Sequence, residues 1–166
     1  MKIKNAKVFV DRAFIDADIE FDQKITAIGQ LDGAADIDAE GCYVIPGLID
    51  IHTHGNSGED FSDGKIEAIQ PMADFYAANG VTSFVATTMT LKEETLMPAM
   101  HAVRDWKRNG GAKCAGIHLE GPFVSKEKCG AQDPRNLHLP DIDMFNRLNA
   151  ASGNQVRLIT MAPELE

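Results

Sequence analysis

The stretch Pro46-Gly47-Leu48-Ile49-Asp50-Ile51-His52-Thr53-His54-Gly55 constrains the fold more than any other part of the chain. Its apolar run, bounded by Pro-Gly before and Gly after, reads as a buried strand that ends in two imidazoles. Alternate residues of a strand face the same side. His52 and His54 therefore share one face with Leu48 and Asp50, while Ile49, Ile51 and Thr53 take the other. Histidine α-carbons two positions apart on a strand are separated by roughly 7 Å, and side chains leaning together can bracket one cation at about 2.0 to 2.1 Å per nitrogen. The alternative is a pair that only packs or caps at a strand end. An apolar run closing on His-Thr-His at a glycine favours the metal.

Before this strand the pattern is short alternating runs at 3–10, 14–21, 24–28 and 42–44, separated by the turn sequences Asp11-Arg12, Asp22-Gln23 and Leu31-Asp32-Gly33. Residues 1–45 thus read as a small antiparallel β domain, too small to be more than marginal alone. After the strand the grammar changes. Ile66, Ile69, Met72, Ala73, Phe75 and Tyr76 recur at helical spacing, with Asn79-Gly80 as a stop. Residues 81–88 (VTSFVATT) are a strand, and 93–108 a helix with Leu96, Met100, Val103 and Trp106 inward. Pro98 fits that helix only near its start. A strand at 113–119, a Gly- and Pro-punctuated loop to 140, a helix at 141–151 and a strand at 156–161 follow. Strands alternating with helices, joined by right-handed crossovers, form a parallel sheet.

Pro-Gly-Leu-Ile-Asp-Ile-His-Thr-His-Gly resembles the first barrel strand of the amidohydrolase superfamily, whose members hydrolyse amides and related bonds with one or two metals. The resemblance turns the parallel sheet into part of a (β/α)8 barrel, so that the expected fold is α/β: a small β-sandwich-like domain over 1–45 and the first half of a (β/α) barrel over 46–166. A whole barrel takes about 250 residues and eight strands. Four strands and three helices are legible here, so the expectation is an incomplete barrel, the N-terminal part of a larger protein.

The second informative stretch is Lys113-Cys-Ala-Gly-Ile-His-Leu-Glu-Gly-Pro-Phe-Val-Ser125. His118 and Glu120 lie two apart at the C-terminal end of a strand, the end at which barrel active sites sit. Gly121-Pro122 ends the strand and leaves the carboxylate at the mouth. A buried glutamate needs a compensating charge. A cation supplies it, and so does a lysine, an arginine or solvent at the strand end; spacing alone does not choose. His118-Leu-Glu-Gly-Pro-Phe123, with Lys128-Cys-Gly-Ala-Gln-Asp-Pro134 and Met161-Ala-Pro-Glu164 in order behind it, resembles the N-acetylglucosamine-6-phosphate deacetylase family.

That resemblance implies a set of roles. Glu120 is a metal ligand, His52 and His54 form a second metal position or lie on the substrate side, and Ala131 with Gln132 contact the sugar. Many relatives carry histidine where Gln132 stands; glutamine keeps a donor and an acceptor without a titratable group. The family's remaining ligands and its catalytic aspartate match no residue here, so no catalytic residue is expected within the chain. His101 reads as a surface helix residue, His138 as a loop residue, His118 as a packed or outer-shell group and Asp50 as a polar group of the barrel interior. The implied reaction is metal-dependent deacetylation of N-acetylglucosamine 6-phosphate to acetate and glucosamine 6-phosphate in amino-sugar catabolism, with zinc or iron, one ion or two, in a protein that is a homodimer when complete. Another amidohydrolase, such as a cyclic-amide hydrolase, and a non-catalytic metal-binding fragment are the alternatives.

Composition bounds the partners. A formal charge of −9 lacks the basic excess a nucleic-acid binder needs. No run of 18 apolar residues and no apolar leader is present, so a cytoplasmic protein with no membrane partner is expected. Cys42, Cys114 and Cys129 are an odd set without Cys-X-X-Cys spacing and read as reduced thiols, two of them in strands.

Overall fold

Alternation builds the first part of the chain directly. In β2 (Ala13–Phe21) every second residue is apolar, in β1 (Lys2–Val10) Ala6, Val8 and Val10 alternate after a register shift, and the antiparallel pairing gathers Ala6, Val8, Ala17 and Ile19 in one buried cluster. A third strand, β3 (Ile25–Gly29), continues the antiparallel order beyond β2. On the other edge β4 (Ile37–Asp38) and β5 (Tyr43–Val44) both pair parallel with β1, so the sheet is mixed where the sequence pattern reads as antiparallel. The cause is the segment between β3 and β4, which carries the chain back across the sheet so that it returns in the direction of β1. Strands of two residues show no alternation, and β4 is invisible in the sequence for that reason. The first unit is one five-stranded sheet.

Asp18, between Ala17 and Ile19 and so on the opposite face of β2, is buried as well. Its carboxylate accepts the backbone N–H of Asn5 (3.1 Å) and of Leu31 (3.0 Å), with the Lys4 ammonium 3.9 Å away. Asn5 has a positive φ at the register shift of β1, so the carboxylate pins an irregular strand and a loop together.

The computed structural model describes residues 1–165, and contacts divide the chain into two compact units, Met1–Pro46 and Gly47–Glu166. The second is an α/β unit: β6 (Leu48–Thr53), a hairpin of β7 (Gly55–Asn56) and β8 (Glu59–Asp60), α1 (Ile66–Ala78), β9 (Val81–Thr88), α2 (Glu93–Asp105), β10 (Lys113–Glu120), α3 (Ile142–Ala151) and β11 (Val156–Thr160). The four long strands form a parallel sheet in the order β11-β10-β9-β6. Phe84 is fully buried between Phe61 (ring centroids 5.5 Å, stacked) and Tyr76 (5.0 Å). Met72 of α1, Leu96 and Met100 of α2, Met144 and Leu148 of α3, and Ile117 and Leu119 of β10 complete the core.

Three local readings change. The organising strand is not buried: among the described residues β6 is an edge paired with β9 alone, and Ile49 and Ile51 are 66 % and 60 % exposed. Helix α2 stops at Asp105, and Trp106 turns extended, its N–H closing the helix on the Ala102 carbonyl. In α1 the buried stripe is Ala68, Ile69, Met72, Ala73 and Tyr76, leaving Ile66 and Phe75 exposed. All three cysteines are free, and Cys42 falls just outside β5.

Replacing Phe84 by Ala should destabilise the second unit by about 3–5 kcal/mol, the usual cost of a fully buried phenylalanine. Denaturant unfolding followed by circular dichroism measures it. The Asp18 carboxyl is held below its ordinary value chiefly by the Leu31 N–H, against the opposing effect of burial. A depressed folded pKa contributes stability above the unfolded pKa of about 3.9 that is lost as pH falls through the folded value. Asp18→Asn should therefore speed amide exchange in β1 and β2 at neutral pH, and the difference from wild type should vanish under strongly acid conditions.

Candidate metal centre

The site is made at the C-terminal ends of parallel strands. β6 delivers His52, with His54 one residue past its end, and β10 delivers Glu120 as its last residue. Between them lies β9, so the two histidines reach the carboxylate across a strand. A register irregularity makes this possible: Asp50 pairs with Phe84 and Thr53 with Ala86, so three steps of β6 match two of β9. Such a bulge bends a strand and re-aims its side chains. Asp50 holds the bulge by accepting the His52 N–H at 3.0 Å. Thr53 is tied on both sides, its N–H to Thr87 Oγ1 (3.0 Å) and its hydroxyl to Tyr76 (2.6 Å). The His54 carbonyl accepts the Phe61 N–H at 2.8 Å, fixing the second histidine to the turn that follows the hairpin.

These supports converge three donors. His54 Nε2 is 3.1 Å from Glu120 Oε2, and His52 Nε2 is 3.9 Å from Glu120 Oε1. One donor atom from each of the three residues lies within 4.8 Å of the other two. Donors bound to one tetrahedral zinc at about 2.0 to 2.1 Å are about 3.4 Å apart. The two histidine–carboxylate separations, 3.1 and 3.9 Å, bracket that value. Two imidazoles and one carboxylate form a mixed nitrogen and oxygen set that suits zinc or iron. His54 Nδ1 is buried without a hydrogen-bond partner, an imidazole not otherwise satisfied by the protein. The residues present fit a divalent cation.

Glu120 is itself positioned. Gln132 Nε2 donates to Glu120 Oε2 at 2.7 Å, while Gln132 Oε1 accepts the Thr90 N–H at 2.7 Å. Thr90, fully buried, donates its hydroxyl to the Glu120 carbonyl at 2.9 Å. Gly121, at φ +82°, lies against that hydroxyl, and a Cβ there would collide with Thr90 Oγ1. Gln132, which the family resemblance gives to the sugar, thus spends one N–H and its oxygen on the protein. Its second amide N–H stays available. Ala131 is exposed in the turn beside it.

The other histidines separate cleanly. His101 is exposed on α2, and His138 is exposed in the loop with its N–H bonded to the Pro122 carbonyl. His118 is buried against the cluster: its Nδ1 is 3.2 Å from His52 Nδ1 and its Nε2 2.8 Å from Thr160 Oγ1. Burial first, and the neighbouring His52 second, hold the His118 imidazole below its ordinary pKa. Thr87, Thr90 and Thr160 are the contributors that the sequence reading passes over. Their signal was present: β-branched hydroxyl residues where two strands end, at Thr87-Thr88-Met89-Thr90 and at Thr160.

No family model matches the chain. Among curated proteins it is 36 % identical over 126 residues to the N-acetylglucosamine-6-phosphate deacetylase of Bacillus subtilis, covering 73 % of this chain and 32 % of that one. Among solved structures, a mutant N-acetyl-D-glucosamine-6-phosphate deacetylase from Mycobacterium smegmatis, in complex with N-acetyl-D-glucosamine-6-phosphate, superposes with a TM-score of 0.88 at 29 % identity, covering all of this chain and 44 % of that one. A D-hydantoinase from Bacillus sp. AR9 is a more distant likeness, with a TM-score of 0.52 at 25 % identity over 99 % of this chain and 40 % of that one. The chain spans about a third of the length of the curated relatives it matches. Sequence and fold together relate it to part of the N-acetylglucosamine-6-phosphate deacetylases, within the amidohydrolase superfamily.

Glu120→Gln should weaken Zn2+ binding by more than the roughly 10–100-fold typical of changes outside the ligand set, since a neutral amide is a poor ligand for such a cation. Competition with a fluorescent chelator measures it, and an unchanged affinity would remove Glu120 from the ligands.

Proposed function

From that kinship we propose that the full-length protein is a metal-dependent amide hydrolase that deacetylates N-acetylglucosamine 6-phosphate, giving acetate and glucosamine 6-phosphate. The observation that carries the reading is the meeting of His52, His54 and Glu120 donors within 4.8 Å at the C-terminal ends of β6 and β10, the edge at which barrel enzymes do their chemistry. Glu120 and the histidine pair would hold the cation, as one shared ion or as two neighbouring positions, with zinc or iron as the metal. A divalent cation in such a site polarises an amide carbonyl and acidifies water.

The chain's own residues bind and orient. Glu120 offers Oε1 toward His52, while Oε2 is engaged by Gln132. The free N–H of the Gln132 amide and the exposed Ala131 turn would orient the sugar. Hydrolysis adds the water oxygen to the acetyl carbon and returns a proton to the leaving amine. We assign that proton transfer to no residue of this chain. The same kinship supports a cytoplasmic homodimer acting on a phosphorylated amino sugar; no helix among the described residues is long and apolar enough to cross a membrane.

The likeness to a D-hydantoinase makes cyclic-amide hydrolysis the competing reading. A site that hydrogen-bonds its substrate penalises analogues that leave its polar groups unpaired. The full-length protein, loaded with Zn2+ or Fe2+, should release acetate from N-acetylglucosamine 6-phosphate far faster than from the unphosphorylated sugar and should leave hydantoin and dihydroorotate rings closed. Gln132→Ala should lower kcat/KM by an amount corresponding to about one to a few kcal/mol with metal content retained. Ring opening with the phosphosugar untouched would overturn the deacetylase reading.

A further inference from the structure

We infer that Ser62 and Thr90 are positioning residues that set the distance between His54 and Glu120 for the cation, acting through the Met89-Thr90 dipeptide just beyond the end of β9. The inference rests on the metal reading above and deepens it. β9 lies between the strand that leads into His54 and the strand that ends in Glu120, and it supplies none of the three candidate ligands. Its end is bonded to both sides. On one side the Met89 N–H donates to the Ser62 hydroxyl at 2.9 Å, and Ser62 follows Phe61, whose N–H holds the His54 carbonyl at 2.8 Å. On the other side the Thr90 hydroxyl donates to the Glu120 carbonyl at 2.9 Å. The Thr90 N–H holds Gln132 Oε1 at 2.7 Å, and Gln132 Nε2 reaches Glu120 Oε2 at 2.7 Å.

The direction of every link is set by a group of fixed polarity, since a backbone N–H only donates and a carbonyl only accepts. The Met89 N–H makes the Ser62 hydroxyl an acceptor, and the Glu120 carbonyl makes the Thr90 hydroxyl a donor. The Thr90 N–H draws the oxygen of the Gln132 amide to itself and so turns the amide nitrogen toward the Glu120 carboxylate. Ser62 and Thr90 are 7 % and 1 % exposed, so water competes little for either hydroxyl. Each is also anchored a second time: the Ser62 N–H bonds the Asp60 carboxylate at 2.7 Å, and the Thr90 carbonyl accepts the Asn136 amide at 3.3 Å. A continuous path of hydrogen bonds and backbone thus runs from His54 through Phe61, Ser62, Met89 and Thr90 to Glu120. At its two ends His54 Nε2 and Glu120 Oε2 stand 3.1 Å apart. Functional constellations tolerate only about 0.5 Å of misplacement. Partners that hold ligands in place are worth about 10–100-fold in metal affinity.

The test uses the full-length protein, with Zn2+ affinity read by chelator competition and the unfolding of the metal-free protein read by circular dichroism. Thr90→Val keeps the side chain's shape and removes its hydroxyl, whereas Thr90→Ser keeps the hydroxyl. Thr90→Val and Ser62→Ala should each weaken Zn2+ binding roughly tenfold, the lower end of the range for such partners. Thr90→Ser should bind like wild type. A purely structural role would lower the unfolding midpoint of the metal-free protein and leave Zn2+ affinity unchanged. Wild-type affinity in either Thr90→Val or Ser62→Ala therefore overturns the inference, and so does a Thr90→Ser variant as weak as Thr90→Val. Where Thr90→Val does not fold, the other two variants decide: Thr90→Ser binding like wild type beside a weakened Ser62→Ala supports the bridge, and any other pairing overturns it. A wild-type protein that binds no Zn2+ overturns the metal reading, and the inference falls with it.

Discussion

The second unit turns on one half-buried carboxylate. Glu120 faces two imidazoles and accepts one amide N–H, and no lysine or arginine lies within ion-pairing distance of it among the described residues. Taking a carboxylate partly out of water without a full countercharge is costly. The surrounding polar groups reduce that cost by hydrogen bonding, and the two imidazoles offer ring nitrogens that can ligate a cation. A carboxylate and two ring nitrogens aimed at a common point form a site with a deficit of positive charge. A divalent cation corrects it, which is why the arrangement points to metal binding more strongly than the histidine spacing alone.

Thr90 is what makes the carboxylate's position reproducible. Its N–H goes to Gln132, its hydroxyl to the Glu120 carbonyl, and its own carbonyl accepts the Asn136 amide at 3.3 Å. One buried residue therefore joins the end of β10 to two points, Gln132 and Asn136, of the loop that follows. The glycine at 121 belongs to the same packing, because any side chain there would displace the Thr90 hydroxyl. The loop needs little secondary structure of its own: a short 3₁₀ turn at Pro134–Asn136 and these hydrogen bonds hold it over the strand ends. Positions that look like a generic polar loop in the sequence are thus held by the geometry of a single threonine.

What the sequence made legible follows from how locally each feature is determined. The helices and long strands of the second unit were readable because periodicity and Gly or Asn stops are local, and their limits shift by a few residues at most. His52, His54 and Glu120 were readable because each sits two residues from a second polar group at a strand end. The mixed character of the N-terminal sheet was not readable, since β4 and β5 owe their pairing to the path of a loop and not to their own residues. The bulge between Asp50 and Thr53 was likewise hidden: strict alternation places His52 and His54 on one face, and the structure reaches the same convergence through a bent strand. The support from Thr90 and Thr160 depends on contacts 30 and 42 residues away in sequence, beyond any local pattern.

The burial pattern of the sheet connects the site to stability. Parallel sheets are ordinarily covered on both faces. The central strands obey this, with Phe84 to Thr88 of β9 and Gly116 to Leu119 of β10 buried, while Ile49 and Ile51 of β6 and Leu158 and Ile159 of β11 are exposed. Among the described residues β6 pairs with β9 alone, and it carries His52 and leads into His54. A cation shared with Glu120 would tie that edge to β10 across the intervening strand, adding a cross-link where hydrogen bonding reaches only the nearest neighbour. Ligand binding stabilises the folded state as RT ln(1 + [L]/Kd), about 2.7 kcal/mol at a hundredfold excess over Kd. The same three side chains that define the chemistry would then help to hold the strand that presents them.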